Sequence, residues 1–75
     1  MIKYLYMSKF NIRIKDLRIE KGLSTQQMAT DFSVTVRTIQ RWEIGETEPR
    51  LDVVIELAKY FGVSSDYLLG ITDVI

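Results

Sequence analysis

Seventy-five residues allow one small domain, and a chain of this size buries only about 60% of its unfolded surface. With 47% apolar and 27% charged residues and a single proline, it is built to fold and not to stay disordered. The absence of cysteine and histidine excludes disulfides, thiol chemistry and nearly every zinc arrangement. The net charge is zero but unevenly laid out: residues 1–42 carry +5 and residues 43–75 carry −5, so one face can be basic while the whole is neutral.

In chain order, residues 1–9 form an N-terminal extension in which Ile2, Tyr4 and Tyr6 alternate with Lys3 and Leu5. That pattern has β-character but is too short to stand alone. It reads either as a loosely docked terminus or as an arm or strand that pairs with a second subunit, and Met7 is an alternative start. The stretch lacks the long apolar core and cleavage site of a signal peptide, and there is no run of ~20 apolar residues to span a membrane. The expected location is the cytoplasm of a bacterial or phage-infected cell.

A first helix is expected from about Asn11 to Lys21, with Phe10, Ile14 and Leu17 as its buried stripe and Gly22 as its stop. A second, from about Thr25 to Phe32, starts at Ser24, which with Gln27 makes a capping box. Met28, Ala29 and Phe32 line its inner face, and Ala29 is small where a neighbour must come close. After the turn at Ser33 and Val34, with Val34 expected to plug between the helices, Thr35 caps a third helix from about Val36 to Ile44. Gly45 ends it. Ile39 and Trp42, three apart, share one side, and Trp42 reads as core. Arg37, Gln40, Arg41 and Ile44 point roughly the other way, with Val36 at the margin.

A polar loop, Glu46 to Pro49, leads to a fourth helix from near Leu51 or Asp52 to Phe61, with Leu51, Val54, Leu57, Ala58 and Phe61 completing the core. Ser64 caps a short fifth helix, Ser65 to Leu69, and residues 71–75 make an apolar tail. The fold class is all-α, with five helices. The middle pair with its tight turn spells helix-turn-helix. Its outward face offers Arg37 and Arg41, which can each donate two hydrogen bonds to guanine, and Gln40, which can do the same for adenine. Gln40 fits a phosphate equally well, and Val36 suits either a thymine methyl group or partial burial. A merely solvated face is the alternative for such a pair of arginines. Glu43, Glu46 and Glu48 lie on a helix end and a loop with no third ligand type converging, so no metal site or catalytic pair is expected. Nothing else supports an enzyme, and no cofactor is expected.

The stretches IKDLRIEKGLS, TQQMA and VTVRTIQRWEIGETEPRLDVVIELAKYFGVSSDYLLG, in that order, resemble the DNA-binding domain of the phage-repressor, Xre-type family, to which the lambda and Cro repressors belong. The likeness runs from about residue 10 to residue 70 and implies a compact lambda-repressor-like domain that binds double-stranded DNA, most often as a repressor. It implies an ion pair between Arg18 and Glu43 that ties the first helix to the end of the third. Ser33 stands where relatives have glycine, and Arg50 where they commonly have a capping serine. The likeness also implies phosphate contacts from Thr25, Gln26, Thr38 and Arg50. The glutamine that relatives place directly after the cap is shifted here by one position, to Gln26. Relatives dimerise through the fifth helix and the residues after it, which points to Tyr67, Leu68, Ile71, Val74 and Ile75, with the N-terminal arm as the competing surface. A homodimer on a palindromic operator is the expectation. An antitoxin-like or adaptor domain that keeps the fold but holds a protein partner is the alternative.

Overall fold

The computed structural model describes the backbone from residue 2 and the side chains from residue 9 onward. It contains α1 (Ile2–Glu20), α2 (Thr25–Asp31), α3 (Val36–Ile44), α4 (Leu51–Phe61) and α5 (Ser65–Leu69), with no strand among the described residues. Helix α1 begins nine residues before the Asn11 boundary, so the extension continues the helix where alternation had suggested a strand. Its helical neighbours supply the backbone partners that so short a strand would lack. Whether the side chains of residues 1–8 face a second subunit lies outside the described residues.

The core is a single cluster: Phe10, Ile14 and Leu17 of α1, Met28 and Ala29 of α2, Ile39 and Trp42 of α3, Val54, Leu57, Ala58 and Phe61 of α4, and Leu68 of α5. The spacing of four and then three residues in α1 puts its three on one side, as a 3.6-residue period requires. Leu51 is not among them. It is 69% exposed on the first turn of α4. Val34 is half-buried against the cluster, and its N–H donates to the Ala29 carbonyl at 2.9 Å.

Each short helix starts on a hydroxyl that accepts an orphan N–H: Ser24 from Gln27 at 3.0 Å, Thr35 from Thr38 at 3.1 Å, Ser64 from Tyr67 at 3.0 Å. Arg50, at the corresponding place before α4, makes no such bond. Asp52 takes over part of the task, its carboxylate accepting from the Val53 N–H at 3.0 Å. Ser33 adopts φ +55°, the left-handed region that an L side chain enters at a cost of about 1 kcal/mol.

The tail is part of the domain. Arg13, whose side chain is 14% exposed, lies over the Tyr67 ring at 4.1 Å and donates to the carbonyls of Tyr67 and, at 2.7 Å, Thr72. It also pairs with Asp73 at 2.5 Å. The Ser64 N–H donates to the Ile75 carbonyl at 3.3 Å. Arg13, one of the basic residues in the positively charged stretch 1–42, is a tether, because five donors on one planar group suit a bundle of carbonyls and a carboxylate. No helix among the described residues is long and apolar enough to cross a membrane.

Candidate nucleic-acid interface

Helix α3 is held by its inner face. Ile39 and Trp42 are buried, and so is Glu43, at 8% exposed. Its carboxylate meets Arg18 of α1 in a fork: Arg18 Nε donates to Oε2 at 2.7 Å and Nη2 to Oε1 at 3.1 Å. A third donor of the same guanidinium, Nη1, bonds the Leu23 carbonyl at 3.0 Å. That hydrogen bonding to Glu43 raises the Arg18 pKa above its ordinary value, against the opposing pull of burial. Of the three acids at the end of α3 and in the loop after it, Glu43 is thus buried, while Glu46 and Glu48 are exposed. Asn11 of α1 adds a second hold, its Nδ2 donating to the Glu43 carbonyl at 3.1 Å.

Gly45 then ends α3 at φ +79°, with its N–H on the Trp42 carbonyl and the Glu46 N–H on the Arg41 carbonyl. A side chain at position 45 would meet both an unfavourable φ and the Asn11 amide, 3.3 Å from where its Cβ would lie.

On the outward face Arg37, Gln40 and Ile44 are exposed, Ile44 at 68%. Val36 is half-buried and packs against the core, so its side chain is divided between protein and solvent. Arg41 is only partly exposed, and its Nε lies 3.1 Å from Glu46 Oε2. The structure thus separates the two arginines. Arg37 has no ion-pair partner among the described residues, whereas Arg41 is held by an acid of its own chain. An exposed pair of this kind contributes about 1 kcal/mol or less, so it orders Arg41 without locking it.

Of the residues expected to meet phosphate, Thr25 is half-buried and Gln26 exposed at the start of α2, with Gln26 Nε2 donating to the Thr30 hydroxyl at 3.4 Å. The half-buried Thr38 has its hydroxyl 2.9 Å from that of Thr35, inside the cap of α3. Arg50 is freely exposed and pairs with Asp52 at 3.3 Å.

Leu68 is fully buried and cannot serve as a dimer contact. Only one side of α5 faces out, and Leu68 is on the other. Tyr67 is half-buried under Arg13, while Ile71, Val74 and Ile75 are exposed. Sequence reasoning missed Asn11 and the tether at Arg13, which act across 32 to 60 positions with no local signal. It also missed Glu46, which was legible: a left-handed stop at Gly45 folds the next residue back over the last turn.

The helix-turn-helix family model matches residues 14–68. The chain is 40% identical over 60 residues to an SPbeta prophage-derived HTH-type transcriptional regulator, YonR, of Bacillus subtilis, covering 80% of this chain and 56% of that one. It is 37% identical over 54 residues to the cryptic phage CTXphi transcriptional repressor RstR of Vibrio cholerae, covering 72% and 49%. It is 32% identical over 62 residues to the HTH-type transcriptional activator BcrR of Enterococcus faecalis, covering 83% and 30%. The chain spans about half the length of the first two of these relatives and less of the third. No solved structure gave a significant match. An all-α core with a capped helix pair at its centre, matched over residues 14–68, makes this chain a member of the helix-turn-helix family of phage-repressor, Xre type.

Proposed function

We propose that this chain is a sequence-specific regulator of transcription that binds double-stranded DNA through α3, as a homodimer on a two-fold operator, and acts as a repressor in a bacterial or phage-infected cell. The observation that carries the reading is the division of α3. Ile39, Trp42 and Glu43 are buried, while Arg37, Gln40 and Ile44 stand in solvent on the opposite side. A helix so divided fits the major groove, where arginine reads guanine and glutamine reads adenine. Arg37, Gln40 and Arg41 are the base readers, Val36 the marginal one, and Ile44 is an apolar neighbour suited to a thymine methyl group. Thr25, Gln26, Thr38 and Arg50 meet phosphates and set the register.

One such domain makes too few base contacts for useful specificity. Two related by symmetry would read half-sites about 34 Å apart, and exposed Ile71, Val74 and Ile75 offer the surface to join them. The repressor sense is favoured by the phage relative that carries that name, although an activator also stands among the relatives.

The test is selection from a random duplex pool followed by titration at several salt concentrations. A palindromic winner is expected, with affinity falling steeply as salt rises. Arg37→Ala should relax the preference at one base pair in each half-site, by about 1–3 kcal/mol, and leave the other positions alone. A chain that selects no sequence and binds without salt dependence is not a DNA-reading regulator.

A further inference from the structure

We propose that Glu46 is a positioning residue for base recognition: it holds Arg41 by Nε and so presents the terminal edge of that guanidinium to a guanine. This rests on the reading of α3 as the helix in the groove. The point of attachment decides between two roles for the carboxylate. A guanidinium has five N–H donors, one on Nε and four on Nη1 and Nη2. A carboxylate forked across the terminal amines would cap the group and keep it from DNA. Glu46 meets Nε, at 3.1 Å, and that leaves the outer edge for the O6 and N7 acceptors of guanine.

The backbone fixes this arrangement. Past the left-handed Gly45, the Glu46 N–H donates to the carbonyl of Arg41 itself at 3.0 Å, and the Thr47 N–H reaches the same oxygen at 3.4 Å. The acid is thus anchored to the residue whose side chain it holds. Behind them, Asn11 grips the Glu43 carbonyl and packs against Gly45, so the loop keeps its place relative to α1. Holding Arg41 in advance lowers the side-chain freedom lost on binding. The same negative charge, set beside a phosphate backbone, weakens attachment to any duplex regardless of sequence. Both effects widen the gap between the matched site and the rest.

The experiment uses the full chain and Glu46→Gln, each taken through selection from a random duplex pool. Each is then titrated on the selected duplex and on its single-base-pair variants. The glutamine variant should lose up to about fivefold in discrimination at one guanine position per half-site and bind unmatched duplex more tightly. Glu46→Gln added to Arg41→Ala should cost nothing further at that position, since the acid acts there only through the arginine. Thermal unfolding of both proteins checks that the exposed substitution leaves the fold in place. The inference is overturned if Glu46→Gln keeps the same discrimination at every position. It is equally overturned if discrimination sharpens, for then the acid was restraining Arg41 from DNA. A wild-type chain with a clear motif that ignores Glu46 defeats this inference alone, whereas a wild-type chain that selects nothing defeats the reading of α3 and this with it.

Discussion

The two ends of α3 are secured by different means. The N-terminal end is a local affair: Thr35 caps it, Thr38 joins the cap, and Ser33 makes the preceding turn at an unfavourable φ. A more distant polar tie comes from Tyr60 of α4, whose hydroxyl donates to Asp31 at 2.8 Å while its ring meets Phe32 edge-on at 4.9 Å. The C-terminal end is held from far along the chain, by Arg18 on the Glu43 carboxylate and Asn11 on the Glu43 carbonyl. A helix pinned at the far end by buried charge and at the near end by an exposed hydroxyl is oriented from its C-terminus. Arg37 lies at the near end.

The largest effect should come from breaking the stronger hold. Arg18→Ala leaves Glu43 as a buried lone charge and should cost about 3 kcal/mol in denaturant unfolding. Arg18→Met with Glu43→Leu should recover most of that, because the charge and its partner leave together. If the single variant costs under ~0.5 kcal/mol, the two ends are alike and the contrast fails. Ser33→Gly sharpens the contrast from the other side. Glycine accepts φ +55° without strain, so stability should rise by about 1 kcal/mol, with the unfolding midpoint in urea as the readout. A loss would mean that the serine hydroxyl supports the turn.

The smallest effect is silent at neutral pH. Burial, and then the bond to Asp31, push the Tyr60 phenol up from 10.0 to about 12. Below the unfolded value both states keep the proton and the contribution is whole. Between pH 10 and 12 the unfolded chain ionises first, binds fewer protons than the folded one, and stability falls with rising pH. Tyr60→Phe should flatten that part of the profile and leave the remainder unchanged.

Legibility in the amino-acid sequence divides along the same line. The caps at Ser24, Thr35 and Ser64 depend on residues three apart, and local chemistry is enough to place them. The left-handed turn at Ser33 was readable only through the family likeness, in which glycine is usual at that place. The Arg18–Glu43 pair spans 25 positions and could be anticipated only through the family likeness. Asn11 and Arg13 were beyond reach, because nothing near them in the chain marks a partner so far away. Leu51 and Leu68 show where periodicity runs out. Each sits on an apolar repeat, but whether a helix turn is covered depends on what packs there. One is open to solvent and the other sealed.

The clasp at Arg13 bears on how the domain should be cut. The family match ends at Leu68, yet Thr72 and Asp73 hold that guanidinium from beyond the boundary. A fragment that keeps α1 whole but stops at Leu68 would unmask the Arg13 guanidinium, which Asp73 neutralises in the longer chain. Its attraction to any polyanion, heparin as readily as DNA, would overstate that of its parent.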